Sequence, residues 1–420
     1  KGDGEKIMHS DNHTNDKAFD EACRFIIKLG EAAHGYGSNA GRLEVYLSRL
    51  TAALGFQGVF RSTPTEIVFA FRENENQAQR MHLSAMPGTG LDLNRLALVG
   101  ELVDAVAAGQ VTISEATTQL VAIDKTPHPW GNLANAASYA FVGFGFAVLL
   151  SGGWWDVLFA MLYSLVVFGM VVMSARFGAT AAAWLPLSTA FVAGVLAAIT
   201  RIFLPELNLV LVTLCAILIL IPGYPVSVGI VELVTGHVVS GTANLMSGLV
   251  YLVKQFAGAW LGVKLVALAG SIPPAAAATA VSPAWLWLAI PLLIVALCIA
   301  FQTGKRDFMA AAVGCAGAYG GILLGSALAG GNLGNLFGTI VAVVFANLWA
   351  RRTRRPTSIA LLPAIVLLVS GSIGFRGLAA IAVGQVATGE QQFLQMFVVA
   401  LTMAAGLLVG NTIVRPKTTL

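Results

Sequence analysis

Charge is what this sequence has least of. Only 11% of its 420 residues are Asp, Glu, Lys or Arg, against 57% that are hydrophobic. That balance excludes a wholly soluble protein. Cysteine is scarce too: Cys23, Cys215, Cys298 and Cys315 fit neither a disulfide framework nor a zinc site, and they read as small buried hydrophobes. The opening Lys1–Asn15 is polar and lacks the pattern of a secretory leader, so the front is expected to stay in the cytoplasm. The loop Pro87-Gly88-Thr89-Gly90 lacks the Lys-Ser/Thr of a phosphate cradle. His34, His82 and Asp92 have no nucleophile motif beside them. The chain is therefore read as no enzyme, with no cofactor and no metal.

The charge that is present is unevenly placed. Residues 1–132 hold 12 Lys/Arg and 16 Asp/Glu, net −4, while residues 133–420 hold 13 and 5, net +8. A polar front thus precedes a membrane-embedded remainder. The basic excess flanks membrane spans, so no nucleic-acid partner is expected.

Residues 1–16 read as a disordered lead and 17–125 as a small cytoplasmic α+β domain. Apolar spacing marks a helix over Phe19–Ala33, and Ser38 or Asn39 can cap another over Ala40–Leu54. Phe56–Ser62, Glu66–Arg72 and Arg80–Ala85 read as strands. Asp92 caps a helix to about Ala108, and Ser114 a last one over Glu115–Ile123. Thr126-Pro127-His128-Pro129-Trp130 lies in a linker, 126–132, that brings Trp130 to the membrane surface.

Ten stretches are apolar enough to span a bilayer: 133–150, 154–174, 181–200, 207–222, 242–266, 284–301, 308–328, 333–350, 358–373 and 392–413. Arg176, Lys305, Arg306, Arg351, Arg352, Arg354, Arg355, Arg415 and Lys417 all fall on the side of the front domain, so both termini are expected in the cytoplasm.

The spans repeat. Shifted by 148 positions, Pro222–Gly262 lies on Ser370–Gly410 without a gap, and six of seven glycines coincide: Gly223/Gly371, Gly229/Gly377, Gly236/Gly384, Gly241/Gly389, Gly258/Gly406 and Gly262/Gly410. Glycine marks bends and close backbone approaches, so a shared glycine pattern predicts a shared backbone path. Gly153, Asp156, Ala160 and Gly169 match Gly304, Asp307, Ala311 and Gly320 at an offset of 151, and Thr189 and Arg201 match Thr339 and Arg351 at 150. The halves, 133–268 and 284–413, are joined by a loop at 269–283, with a tail at 414–420. Each holds five spans, an odd number, which predicts inverted repeats and alternating access. Pro222-Gly223 and Ser370-Gly371 should break the fourth and ninth spans, and backbone freed in a bilayer lines a protein-enclosed or wet cavity.

The turn Thr63-Pro64-Thr65, Pro222-Gly223, Glu232-Leu233, Gly236-His237, Gly241, Gly371, Phe375-Arg376-Gly377 and the Gly406/Gly410 ending resemble the threonine/serine exporter (ThrE) family, from about residue 18 to 413. The resemblance implies a cytoplasmic front domain, ten spans and proton-driven export of small amino acids from a bacterial plasma membrane. In some bacteria the halves are separate chains, a pair associated with dicarboxylate export. The family often has Asp-Leu at Glu232-Leu233, Arg at Asn244 and Pro-Gly at Ser370-Gly371.

A charge inside the bilayer costs about 2.5–3.5 kcal/mol or more and needs a reason. Lys254, midway along the fifth span, reads as a cavity lysine for a carboxylate or as a snorkelling one. Glu232 could hold an ammonium or the coupled proton, or sit at the membrane edge. His237 could titrate near neutrality or cap a helix. Arg376 is a carboxylate fork or an interfacial anchor. Asp156 and Asp307 read as helix caps, and Asn244 and Asn347 as cavity polar groups or interhelical bonds. An amino-acid zwitterion needs a cation binder beside an anion binder, which Glu232 with Lys254 would supply; a dicarboxylate would want Lys254 with Arg376. The partners expected are a small-molecule substrate, protons and the lipid bilayer, with a homo-oligomer left open. Rival readings are dicarboxylate export, a membrane enzyme with its site in the front domain, and a passive channel.

Overall fold

A computed structural model describes residues 3–74, 77–86, 90–234, 236–330, 333–368 and 371–416. The chain divides into two compact units, one of residues 1–128, 347–359 and 416–420 and one of 129–346 and 360–415.

The first unit carries α1 (Asp3–Gly35), α2 (Ala40–Ala53), β1 (Gln57–Ser62), β2 (Glu66–Arg72), β3 (Arg80–Ala85), α3 (Leu93–Ala107) and α4 (Ile113–Asp124). The strands form an antiparallel meander in the order β1-β2-β3, with Phe60 opposite Phe69 and Phe69 opposite His82. Side chains alternate faces along a strand, so Phe60, Phe69 and Phe71 share one face. All three are buried there, and Phe60 meets the other two rings edge-on at 5.9 and 5.7 Å. The other face leaves Val59, Met81 and Leu83 exposed.

Caps fix the helix starts. Asn39 Oδ1 accepts from the Gly41 N–H, and Asp92 Oδ1 from the Arg95 N–H. The last cap differs from expectation: Thr112, not Ser114, starts α4. Thr112 Oγ1 accepts from the Glu115 N–H while the Glu115 carboxylate accepts from the Thr112 N–H, the reciprocal box that a Thr three residues before a Glu makes. The first helix also differs. It begins at Asp3, so the lead expected as disordered falls within its range. Glu101 of α3 pairs with Arg355, and the space beside Gly100 is taken by Pro356.

The remaining helices are α5 (Gly131–Leu149), α6 (Trp154–Phe177), α7 (Ala179–Phe203), α8 (Leu209–Ile217), α9 (Gly223–Val234), α10 (Val238–Ala269), α11 (Leu286–Ala300), α12 (Phe308–Ala329), α13 (Gly334–Thr353), α14 (Ser358–Leu367), α15 (Gly371–Ala382) and α16 (Val386–Ile413). Among the described residues nine helices are long and apolar enough to cross a membrane, or ten if one bent pair counts as a span. The bent pair is the fourth span: Leu209–Leu220 and Pro225–Val234 meet at 60°, where Pro222 cannot donate to the turn before it. At the ninth span α14 ends at Leu367 and Gly371 opens α15, Ser370 lies outside the described residues, and by length and composition Ser358–Ala382 counts as one candidate span.

Local geometry recurs at the offsets read from the sequence. Gly236 and Gly384 both turn with positive φ, 88° and 86°, a region that L side chains disfavour. Helices α9 and α15 start and stop 148 residues apart. Leu150, Ser151 and Gly152 donate to the carbonyls of Phe146, Val148 and Ala147; 151 residues later Phe301, Gln302 and Thr303 donate to those of Leu297, Ile299 and Cys298.

The matching helices α5 and α11 pack together. Trp130, just before α5, donates its Nε1–H to the carbonyl of Thr303, just after α11, at 2.7 Å. Val281, just before the start of α11, donates its N–H to the carbonyl of Gly152, just after α5, at 2.9 Å. The start of each helix is therefore held to the end of the other, and the two run antiparallel.

Candidate functional site

The two breaks meet. A Cβ on Gly371 would lie 2.5 Å from Ile221 Cγ2 and 3.3 Å from Gly223 Cα, so Gly371 has no room for a side chain. Around this contact, α9 packs on α10 and α16, while α15 packs on α16 and α10. Each short helix crosses its own long partner at a glycine pair. A Cβ on Gly229 would lie 2.9 Å from the Gly241 carbonyl oxygen, and one on Gly377 would lie 2.9 Å from that of Gly389. Val226, Ile230, Ala400 and Ala404 form the buried apolar contact between α9 and α16. Ser227 is buried in the same interface and donates to Met403 Sδ at 3.8 Å.

Glu232 lies on the last turn of α9 and is 3% exposed. The turn through Gly236 folds α10 back along α9, and the carboxylate Oε2 then accepts from Ser240 Oγ at 2.8 Å and from Asn244 Nδ2 at 2.7 Å. Such donors stabilise a carboxylate withdrawn from water. Glu232 and Asn244, expected separately, are thus brought together. His237 is exposed at the turn, and its backbone N–H donates to the Glu232 carbonyl.

Lys254 does not join them. It stands ten residues beyond Asn244, about 15 Å along the helix, on the exposed face of α10 with Val250 and Val253. The buried face carries Gly248, Leu252, Gln255, Ala259 and Gly262, at helical spacing. The phase of those residues puts Gln255 inside and Lys254 outside, a signal that the helical spacing of the sequence carries. Arg376 is half-buried on α15, directly after Phe375, which is 2% exposed. Asn347 is buried on α13. Asp156 is a cap, as expected: Oδ2 accepts from the Gly153 N–H and Oδ1 from the Asn208 N–H. Sequence reading missed Ser240, Ser227 and Gln255, which are uncharged and sit among apolar neighbours.

A polar α+β unit attached, among the described residues, to nine or ten helices long and apolar enough to cross a membrane defines a multi-pass membrane protein. The family models agree on which kind. One described as "Putative threonine/serine exporter" matches residues 24–266, and one described as "Threonine/Serine exporter, ThrE" matches residues 286–413. The chain belongs to the threonine/serine exporter (ThrE) family. Its relatives include an uncharacterized protein of Schizosaccharomyces pombe, 23% identical over 84% of this chain and 48% of its own length. A protein of Pichia sorbitophila named "Pheromone-regulated membrane protein 10" is 21% identical over 83% of this chain and 36% of its own length. A Mycobacterium tuberculosis protein named "Probable threonine/serine exporter" is 24% identical over 77% of this chain and 63% of its own length. The chain thus spans less than two thirds of each of these relatives. No solved structure matches it.

Proposed function

We propose that this protein is a secondary exporter that carries small amino acids, threonine and serine foremost, out of the cytoplasm by alternating access between two inverted five-helix halves. The observation that carries this reading is the antiparallel pairing of equivalent helices, α5 with α11, together with the back-to-back contact of Gly223 and Gly371. A two-fold relation that reverses chain direction is the plan on which each half can take the conformation the other leaves.

Glu232 is the proton carrier in this reading. It is a carboxylate 3% exposed that accepts from Ser240 and Asn244, a group able to take up and release a proton. Flanking cations favour cytoplasmic termini. The relatives are fungal as well as mycobacterial, so they do not favour a bacterial membrane. A dicarboxylate reading wants Lys254 beside Arg376, and the exposed position of Lys254 speaks against it. The test is efflux from proteoliposomes of the purified chain. Threonine and serine are expected to leave faster when an inward proton gradient is imposed, with succinate retained; gradient-independent leakage of all three would overturn the proposal.

A further inference from the structure

Buried polar groups whose hydrogen-bonding capacity goes unused are rare, and each calls for a partner or a reason. Gln255 is 0% exposed, and neither its Nε2 nor its Oε1 has a hydrogen-bond partner. It lies where α10 crosses α15. One turn before it, Leu252 comes within 3.0 Å of where a Cβ on Gly374 would be. One residue after it, the Phe256 ring meets that of Phe375 at 6.2 Å. These two contacts bracket Gln255 against the stretch of α15 that ends in Arg376, whose Nε also has no partner.

Packing alone does not ask for an amide here. The position 148 residues further on is Met403, 1% exposed and of similar length. The repeat fills the same place with an apolar side chain in one half and leaves an unsatisfied amide in the other. An unmet amide costs the fold its desolvation, so its retention points to a ligand.

We propose that Gln255 and Arg376 form the subsite for a zwitterionic amino acid. The guanidinium and the Gln255 Nε2–H donate to the carboxylate, and Gln255 Oε1 accepts from the ammonium or from a side-chain hydroxyl. This deepens the exporter reading and rests on it, and it assigns to Arg376 the anion-binding task that sequence alone gives to Lys254.

The experiment is thermal-shift titration of the purified full chain with L-threonine, L-serine, succinate and glycerol, on wild type and Gln255→Met. Threonine and serine should stabilise the wild type, and the variant should bind them at least about tenfold more weakly while melting about 2 °C higher, since it no longer buries an unpaired amide. Equal binding by both proteins overturns the subsite and leaves the exporter reading standing. Stabilisation of the wild type by succinate alone overturns the zwitterion assignment and the amino-acid reading together, and so does no shift with any compound. Should Gln255→Met fail to fold, Gln255→Glu decides. It sets a negative charge against the substrate carboxylate, and wild-type threonine affinity in it overturns the proposal.

Discussion

A carboxylate withdrawn from water costs several kcal/mol unless donors surround it, and Glu232 accepts from Ser240 and Asn244 on the helix that follows its own. Glu232→Gln keeps the shape and removes the titration. Proton-driven threonine efflux is expected to fall at least about tenfold, while exchange of threonine across the membrane without a gradient persists; equal loss of both would make Glu232 structural. His34 gives a second residue-scale expectation. It is 2% exposed, lies 3.3 Å from Ser62 Oγ and 3.4 Å from the Pro64 carbonyl, and burial lowers its pKa from 6.5. The unfolded chain therefore binds that proton more readily than the folded one. Its contribution to stability is whole above pH 6.5 and is lost as pH falls towards the folded pKa, by at most about 1.4 kcal/mol per pH unit. Resistance of the front domain to limited proteolysis should decline on acidification, and His34→Gln should flatten that decline. At this scale the sequence was legible where chemistry is local, as with the Asn39 and Asp92 caps. It misled where a side chain's direction depends on helix phase: Lys254 drew the eye, and Gln255 is the inward residue.

Helix α9 approaches α10 at Gly229 and Gly241 as α15 approaches α16 at Gly377 and Gly389. The neighbours at these crossings are backbone atoms, which cannot swing aside. Gly229→Ala and Gly377→Ala should therefore each lower the melting temperature, by a similar amount, with about 1–3 kcal/mol of overpacking in each case. Gly169, where an added Cβ meets nothing within 4 Å, serves as the neutral control. A large effect at one crossing and none at the other would deny the two helix pairs a common role. The crossings were readable in advance because glycine spacing survives duplication even when other side chains diverge. The ninth span was less plain. Ser370-Gly371 lacks the proline ring of Pro222-Gly223, yet Gly371 opens α15 as Gly223 opens α9.

At the scale of the molecule, the proposed inverted arrangement sets where loops emerge. Cys23, Cys215, Cys298 and Cys315 are all buried, so an introduced thiol can be labelled over a low background. Ser151→Cys is expected to react from outside intact cells with a membrane-impermeant maleimide, and Lys305→Cys, in the equivalent loop of the other half, only after permeabilisation; both on one side would end the inverted reading. The five-span halves could be counted from hydropathy. Their mutual grip could not, because it runs through a backbone carbonyl at Thr303 and another at Gly152, groups that every residue owns. That grip has a consequence for how the polypeptide could be divided. Since the lead-in of each half is clasped by the elbow of the other, the tether between them serves delivery more than cohesion. Severed ahead of Ala276 and produced as two strands of message, the pieces should find one another in the bilayer and co-purify as a working pair.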